Sequence, residues 1–419
     1  MAQAQEKTFE REYTYKASEM DSKVSCRAIA TNQLRSILLN EIGVYVESES
    51  ILKTTEVSGK FSQDFVENIA TISAGITKLQ VLDETWNGET FWLKAAITID
   101  TQELEKSLVQ LANNRQKVKE LEELKNQLRI ATTELEDVKR KLATKQSQAN
   151  TEKLSEEYNN QIKKLTAGDY FITAWTKHQE LNYRGAIEDY TQAIELNPEF
   201  GTGYELRGVA KADMKNDIGA IEDYSKAIEL NHYSSTIYIL RGASKYNLND
   251  YNGAIEDFNK SIDIDSQNAN AFGIRAMAKY GLKDNYGALS DCDKAIMLDP
   301  KDPSFYLYRG SVQHSIGNYQ MAIEDYSTSI DLDSKSNEVL LATRYFNRGL
   351  SRDNLRDYSG AIKDYSTAIN LSPEFAEAYY LRAIAKGRLR DFKGSCSDLR
   401  IASELGYSEA YETMRKVCN

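Results

Sequence analysis

The sequence predicts a mainly α-helical protein that contains a stacked array of helix pairs, an α-solenoid. The phrase Gly-Ala-Ile-Glu-Asp-Tyr stands at Gly185–Tyr190, and its variants recur after steps of 34 residues, with one step of 39. The variants start at Gly219, Gly253, Gly287, Met321, Gly360 and Gly394. A fixed period of this size is typical of arrays in which each unit packs only on its neighbours. A long polar stretch without Gly or Pro precedes the array, and segments of alternating apolar residues come before that stretch.

The composition disfavours several classes of function. The 419 residues carry a formal net charge of -11, which argues against nucleic acid as a partner because phosphate binding needs clustered Lys and Arg. No apolar run approaches the length of a membrane span, so we expect no transmembrane segment. The three histidines and four cysteines lack metal-ligand spacing, and no phosphate-binding loop or nucleophile motif occurs. We therefore expect no metal, no cofactor and no catalytic residue.

Residues 1–100 are predicted to form a small α+β domain. Asn87-Gly88 separates two alternating runs, 76–86 and 89–100, and suits a type I′ hairpin turn because both central residues of that turn need positive φ. Phe91 to Ile99 place five apolar side chains on one face, which we expect a helix to cover. The other predicted elements are a strand, a helix that stops at Gly43, a short strand and a short helix: Lys7–Tyr15, Asp21–Gly43, Val44–Glu47 and Phe65–Ile72.

Three phrases of this segment carry a resemblance. They are Ile42–Ser48, Ile72–Ile76 and Val81–Trp86, and with the order of the elements they resemble the N-terminal domain of the flagellar assembly protein T family and related small lipoprotein domains. The resemblance covers roughly residues 20–100 and includes no catalytic motif. It implies an assembly or envelope module, and hence an envelope location.

Residues 101–166 are predicted to form a long helix with a narrow apolar seam, a coiled-coil helix. The seam consists of Leu104, Leu108, Leu111, Val118, Leu121, Leu124, Leu128, Ala131, Leu135, Val138 and Leu142. Such a helix cannot bury its seam alone and must pair. We prefer pairing with a second copy, a homo-oligomer, over an intrachain hairpin that folds back at Gln146–Asn150. A solvated single helix is the third alternative.

Residues 167–409 hold seven repeats of two apolar-periodic helices. They start at Ala167, Gly201, Ser235, Ala269, Pro303, Ala342 and Ala376. In each first helix an aromatic residue is followed four places later by a small one, as in Tyr204 and Gly208, and Ala and Tyr recur in the second helix. This pattern resembles the tetratricopeptide repeat. Five extra residues, about 337–341, precede the sixth repeat and are expected to lengthen a helix or bend the array, and residues 410–419 are expected to form a capping helix.

An Arg and an Asp recur in nearly every repeat. We interpret them as ion pairs between packed helices, because a residue that every repeat carries serves stacking; a ladder of ligand-binding charges is the alternative. Substitution of Arg241 and Asp223 by Ala, singly and together, tests whether these two residues bridge the helices.

The resemblance also implies a protein-binding groove. In tetratricopeptide repeats the first helices line a concave surface, and its variable positions choose the partner. Carried over by position, the groove is lined by Phe171, Trp175, Ile239, Tyr246, Met277, Tyr280, Leu307, Phe346, Leu350, Tyr380 and Ile384. These residues suit an amphipathic helix or an extended peptide, although any of them can instead pack between repeats. The Lys and Asn clamp of chaperone-binding relatives is not reproduced.

Both ends of the chain bear on its location. The start Met1–Gln5 looks like the tail of a signal-peptide cleavage site with a start codon added, or like an ordinary terminus. The ending from Gly394 to Cys418 resembles the C-terminal cap of repeat proteins exported by Bacteroidetes-type bacteria. A disulfide between Cys396 and Cys418 would staple this end and indicate an oxidising compartment; two small apolar side chains in a cap are the alternative.

The prediction is a non-enzymatic scaffold or adaptor of the bacterial envelope, periplasmic or at the cell surface, that binds a protein or peptide. A cytoplasmic co-chaperone or assembly factor is the second reading. An enzyme with a hidden site in the first domain, where Glu47 and Glu49 lie, is a distant third.

Overall fold

The computed structural model describes residues 6–18, 21–48, 79–100, 148–333 and 338–418, with scattered residues between 130 and 141. These residues divide into two compact units, 1–232 and 233–419. The first unit holds the sheet domain and the first two repeats, and the second unit holds the other five. The predicted α-solenoid with a small N-terminal sheet domain is confirmed.

The sheet has three antiparallel strands in the order β1-β3-β2: Glu6–Lys16, Leu79–Trp86 and Thr90–Asp100 for β1, β2 and β3. The predicted hairpin joins β2 and β3, but its loop is not a type I′ turn. Gly88 alone in this loop has a positive φ, of 94°. Asn87 accepts hydrogen bonds from the backbone N–H of Glu89 and Thr90 through its side chain, at 2.9 and 2.7 Å. These side-chain hydrogen bonds close the turn, so Asn87 does not adopt the positive φ that a type I′ turn requires.

Helix α1, Lys23–Ser48, covers the apolar face of β3. Leu34, Leu38 and Ile42 have no exposed surface and lie in one cluster with Phe91 and Leu93. The helix continues through Gly43, so the predicted stop there and the strand at Val44–Glu47 are wrong. A single helical Gly costs only about 1 kcal/mol, which packing of the rest of α1 outweighs. The predicted helix Phe65–Ile72 lies outside the described residues.

The apolar seam pairs within the chain where the structure describes it. Leu135 and Val138 are buried against Tyr158, Ile162 and Leu165 of helix α2, Gln148–Gln179. Gln161 Nε2 donates to Glu134 Oε2 at 2.8 Å. At these two positions the seam is buried by the same chain, as in the alternative of an intrachain hairpin, and pairing with a second copy stays a prediction. The seam residues from 104 to 128 lie outside the described residues.

The sheet domain and the first repeat share one apolar core. Phe171 and Trp175 of α2 belong to the same cluster as Leu34, Phe91 and Tyr190. Arg35 of α1 is also ion-paired with Asp169 of α2. The predicted boundary between residues 166 and 167 falls inside the continuous helix α2, so the first repeat begins on a helix that the preceding segment also uses.

The repeats are pairs of antiparallel helices whose bounds follow the predicted register. The first unit continues with α3 to α5: Tyr183–Leu196, Gly201–Asp213 and Asp217–Glu229. The second unit contains α6 to α15: Ser235–Asn247, Tyr251–Ile264, Ala269–Gly281, Asn285–Leu298, Pro303–Ser315, Tyr319–Leu332, Glu338–Asn354, Tyr358–Leu371, Ala376–Arg388 and Phe392–Glu404. Helix α16, Ser408–Val417, packs on the last repeat as the predicted cap.

The extra residues lengthen the first helix of the sixth repeat. Helix α12 has 17 residues, whereas the first helix of the fifth repeat, α10, has 13. Arg344 of α12 is buried, is ion-paired with Asp333, and donates from Nε to Ser329 Oγ at 2.9 Å. A buried Arg needs such partners, and these fix the lengthened helix on the fifth repeat.

Candidate functional site

Close packing inside each repeat explains its small residues. A Cβ added to Gly242 would lie 2.6 Å from the Phe258 ring, and one added to Gly349 would lie 2.7 Å from Tyr365. Ala occupies this position in the fourth repeat, at Ala276, where the facing residue is the smaller Cys292. The recurring small residue is therefore complementary to the side chain beneath it and is unavailable to a ligand.

The glycine that opens the repeated phrase serves helix capping. Asp284 Oδ1 accepts from the Gly287 N–H at 3.0 Å at the start of α9, and any Cβ on Gly287 would overlap the Asp284 carboxylate. The fifth repeat has Met321 at this place, and there the N-cap Asn318 makes no side-chain capping bond. The exception supports the rule that this glycine gives the capping side chain its room.

The recurring Arg and Asp form bidentate ion pairs within each repeat from the second to the seventh. Arg241 donates from Nε and Nη2 to Asp257 at 3.0 and 2.7 Å. The same contact joins Arg207–Asp223, Arg275–Asp291, Arg309–Asp325, Arg348–Asp364 and Arg382–Asp398. The bridging interpretation is confirmed, but the expected partner of Arg241 is wrong, since Asp223 is bound by Arg207.

We call each of these Arg–Asp pairs, together with the contacts around it, a staple, and most staples include two further contacts. A second cation four residues after the Arg binds the same carboxylate, as Lys245 Nζ binds Asp257 at 2.7 Å. In most repeats the Arg also reaches the preceding second helix, as Arg275 Nη1 donates to Asn259 Oδ1 at 2.6 Å. The Arg guanidinium groups lie over the recurring aromatic rings, with centroid distances from 5.2 to 5.8 Å. These charges are engaged in stacking.

The fifth repeat lacks the second cation. Gln313 occupies the place of Lys245, so Arg309 alone binds Asp325. Burial raises the pKa of Asp325 above its usual range, and the hydrogen bond and charge of Arg309 only partly oppose this. The charged form of Asp325 is therefore less stable than it would be beside a second cation.

We call the positions one, five and eight residues after the recurring aromatic the inner positions, since all predicted groove residues fall on them. The helices that carry them approach one another, with α6 contacting α8, α8 contacting α10, and α10 contacting α12. The prediction that Phe171 and Trp175 of the first unit line the groove is wrong, because both side chains are buried in the shared core, at 1% and 2% exposure. Phe346 of the second unit is likewise buried, against Tyr365 and Phe375.

The other eight predicted groove residues lie half-buried in the second unit: Ile239, Tyr246, Met277, Tyr280, Leu307, Leu350, Tyr380 and Ile384. Several of their rings also pack locally. The ring centroids of Tyr246 and Tyr251 lie 5.4 Å apart, and those of Tyr380 and Tyr407 lie 5.0 Å apart. Burial raises the pKa of Tyr246. These residues form a part-exposed apolar surface, which we call the inner face.

Sequence reasoning missed two polar residues at the inner positions, His314 and Asp353. His314 Nδ1 lies 2.8 Å from Ser351 Oγ on the next inner helix, and burial lowers the pKa of His314. Asp353, at the matching position of the sixth repeat, is half-buried and carries the one carboxylate among the inner positions of the second unit. Alignment of the repeats would have found it, because the same position carries Tyr246, Tyr280 and Gly387 elsewhere.

Other chemistry is limited among the described residues. They contain no group of three or more Cys, His, Asp or Glu side chains that could hold a metal ion. None of the described helices combines the length and the apolar character needed for a membrane span. The structure joins Cys396 and Cys418 in a disulfide with a Cα–Cα distance of 5.7 Å. Cys26 and Cys292 are buried free thiols, and burial raises the pKa of Cys292 to about 12.

Family models match two whole repeats and a third segment that runs from the second helix of the sixth repeat to the first helix of the seventh. A model described as tetratricopeptide repeat matches residues 235–268 and 303–336, and one described as TPR repeat matches 356–389. These bounds agree with the starts Ser235 and Pro303 that the sequence predicts. No curated protein matches the chain.

Several solved structures are similar to parts of the chain. A tetratricopeptide repeat protein from Parabacteroides merdae is 17% identical over 60% of this chain and 99% of its own, with a TM-score of 0.49. MamA protein is 24% identical over 42% of this chain and 94% of its own, with a TM-score of 0.37. YrrB, described as a TPR protein with an unusual peptide-binding site, is 21% identical over 46% of this chain and 97% of its own, with a TM-score of 0.37.

Proposed function

We propose that this chain, a tetratricopeptide repeat protein, is a non-enzymatic scaffold that holds a protein or peptide on the inner face of its second unit. One observation carries the proposal. The charges common to the repeats are engaged in stacking, whereas the inner positions of α6, α8 and α10 carry no Asp, Glu, Lys or Arg. A part-exposed surface of aromatic and aliphatic side chains without charge is suited to an apolar segment of a partner.

A photo-crosslinking amino acid placed at Met277 tests this function in the native host. Met277 is half-buried on the inner face, and Tyr286, 84% exposed on the second helix α9, is the matched control. We expect a discrete crosslinked protein from position 277, identified by mass spectrometry, and none of the same mass from position 286. Equal capture of the same proteins at both positions would contradict the proposal.

We place the scaffold in the bacterial envelope, outside the reducing cytoplasm. The support is the Cys396–Cys418 disulfide, since such bonds persist in oxidising compartments. Intact mass of the protein from its native host, with and without reductant after thiol alkylation, tests the location. A fully reduced pair would favour the alternative, a cytoplasmic co-chaperone or assembly factor that uses the same inner face.

An enzyme remains the third candidate, with its site in the N-terminal domain. Residue Glu49, which that reading would use, lies outside the described residues. A metal or nucleotide that co-purifies with the protein would favour it, and native mass spectrometry detects either one.

A further inference from the structure

The extra residues before the sixth repeat expose two apolar side chains. Helix α12 begins at Glu338, ahead of its repeat start Ala342, whereas α8, α10 and α14 begin at their own repeat starts. At 1.5 Å per residue, the additional turn projects about 6 Å beyond the repeat start. Within it, Val339 and Leu340 are 57% and 54% exposed. We call this turn, residues 338–341, the lip.

The lip continues the inner face along α12. Val339, Thr343, Phe346 and Leu350 follow one another at spacings of four, three and four residues. With 3.6 residues per turn, these spacings place all four on one side of the helix. Leu350 belongs to the inner face, so Val339 extends the same side of α12 by one turn.

The apolar character of the lip differs from the chain before the neighbouring inner helices. The residues that align with Val339 and Leu340 ahead of α8, α10 and α14 are Ser266-Gln267, Pro300-Lys301 and Pro373-Glu374. Those residues suit a solvated turn. The exposed Val and Leu instead enlarge an adjoining apolar surface, and an enlarged apolar surface is typical of an interaction site.

Contacts within the fifth and sixth repeats hold the lip in place. Thr343 Oγ1 donates to the main-chain carbonyl of Val339 at 3.0 Å, which ties the lip to the following turn. The next residue, the buried Arg344, is ion-paired with Asp333 and donates to Ser329 Oγ. A surface that is fixed before binding loses little conformational entropy when a partner arrives.

The described charges beside the lip are acidic on the side of the seventh repeat. Glu338 begins the lip, and Glu377 in the first turn of α14 aligns with Thr343. Burial raises the pKa of Tyr365 and nearby carboxylates, Glu377 among them, raise it further, so the charge of Glu377 is felt within the sixth repeat. On the side of the fifth repeat the exposed residue is Lys301. A cation of a partner is therefore favoured toward the seventh repeat.

We propose that the lip and Glu377 bind an apolar side chain and an adjacent Lys or Arg of the segment held on the inner face, an inference that rests on the proposed function. The apolar side chain packs on Val339 and Leu340, and the basic one lies between Glu338 and Glu377. The inner positions of α6, α8 and α10 carry no charge and favour neutral residues. The partner segment is accordingly neutral along most of its length and basic at the end that reaches the sixth and seventh repeats.

Charge-swapped peptides test this proposal on the full-length protein. Decapeptides are selected by phage display on the wild type, and fluorescence anisotropy measures their affinities. We expect selected peptides to carry Lys or Arg beside an apolar residue. Val339→Ser combined with Leu340→Ser should weaken their binding about tenfold, because two apolar contacts are lost. Met297→Ser, on the second helix of the fourth repeat and 65% exposed, is the matched control and should leave binding unchanged.

The charge partner is tested separately. Glu377→Lys should weaken binding about fivefold, and replacement of the basic peptide residue by Glu should restore it, because the exchange re-forms an opposite-charge pair. Glu404→Lys, on the exposed end of α15, should have no such effect. A swapped peptide that binds Glu377→Lys no better than the original peptide does would overturn the basic partner residue.

The outcomes separate the lip from the function on which it rests. If no peptide is selected, or if Met277→Gln on the inner face leaves binding unchanged, the proposed function fails and the lip with it. If Met277→Gln weakens binding but the double Ser variant of Val339 and Leu340 matches wild type within twofold, the lip is wrong and the scaffold stands. Thermal unfolding of the lip variants should match wild type, because both side chains are exposed.

Discussion

In the first repeat, Thr173 occupies the place that an Arg holds in every later repeat, and Lys177 alone binds Asp189, at 2.6 Å. In the third repeat, Arg241 and Lys245 both bind Asp257, and the Arg241 guanidinium lies over Tyr238. The first repeat compensates with apolar burial, because α1 and the sheet pack on it and place Trp175 at 2% exposure. The Arg-centred staple is thus a device for stacking one repeat on another. The first repeat packs on α1 and the sheet instead, and so does not need an Arg-centred staple.

Substitutions in the apolar core that the first repeat shares with the sheet domain should lower the free energy of unfolding more than substitutions in the staples or the helix caps. Phe171→Ala should lower the free energy of unfolding by about 3–5 kcal/mol, because it leaves a cavity between the first repeat and the sheet domain. Leu181→Ala, in the same repeat but 71% exposed, should change it by less than about 0.5 kcal/mol. Urea unfolding followed by Trp fluorescence measures both. Equal effects of the two changes would show that the first repeat does not depend on this core.

The opposite end of the array relies on a covalent bond. Replacement of Cys396 and Cys418 by Ser should cost about 3 kcal/mol, since the bond closes a loop with a sequence separation of 22 residues. Hydrogen exchange should show the loss in α16 and the last repeat. Reductant should destabilise the wild type to a similar extent and leave the double variant unchanged; a reductant-sensitive double variant would point to another cause.

The staple itself can be measured by a double-mutant cycle. Arg241→Ala and Asp257→Ala should show a coupling energy of about 1–3 kcal/mol in urea unfolding, because the bidentate bond is largely buried. Arg241→Ala combined with Asp223→Ala is the matched control, and those losses should add. Coupling in the control cycle and not in the first would reverse the assignment of partners.

The fifth repeat offers a way to complete a staple. Gln313→Lys should stabilise the protein by about 1 kcal/mol at neutral pH, because a second cation favours the charged form of Asp325. The raised pKa of Asp325 means that its burial penalty grows as pH rises through the ordinary Asp value of 3.8 and is complete above the folded-state pKa. The gain should therefore vanish in acid, where Asp325 is protonated. Gln320→Lys, on the exposed surface of α11, places a Lys beside Glu324 and should gain less than about 0.5 kcal/mol in thermal unfolding.

The helix caps should give the smallest effect. Asp284→Ala should cost about 1 kcal/mol, since its side chain accepts from Gly287 N–H. Asn318→Ala should cost less than about 0.5 kcal/mol because Asn318 makes no such bond. Thermal unfolding distinguishes the two. A larger loss for Asn318→Ala would contradict the capping role assigned to the recurrent glycine.

The array was predictable because the partners of each helix lie within about one repeat, so local periodicity carries most of the packing information. The seam was different: Leu135 and Val138 show that a surface must be buried, but their spacing does not say whether a second copy or the same chain covers it. Phe171 and Trp175 failed as groove residues for a related reason, since α1 covers them from a segment far away in sequence. Asp353 was missed because only the apolar residues at these positions were considered, although alignment of the repeats shows an Asp where Tyr246, Tyr280 and Gly387 stand elsewhere.

The continuity of α2 has a mechanical consequence. This helix runs for 32 residues from the intrachain hairpin to the end of the first helix of the first repeat, with no break at residue 167. An α-helix resists torsion along its axis because each turn is tied to the next by backbone hydrogen bonds. A rotation of the N-terminal half of α2 about its axis would therefore be transmitted to its C-terminal end, next to Tyr183–Leu196. The sheet domain, ion-paired to α2 at Asp169, would hold the helix in place as it turns.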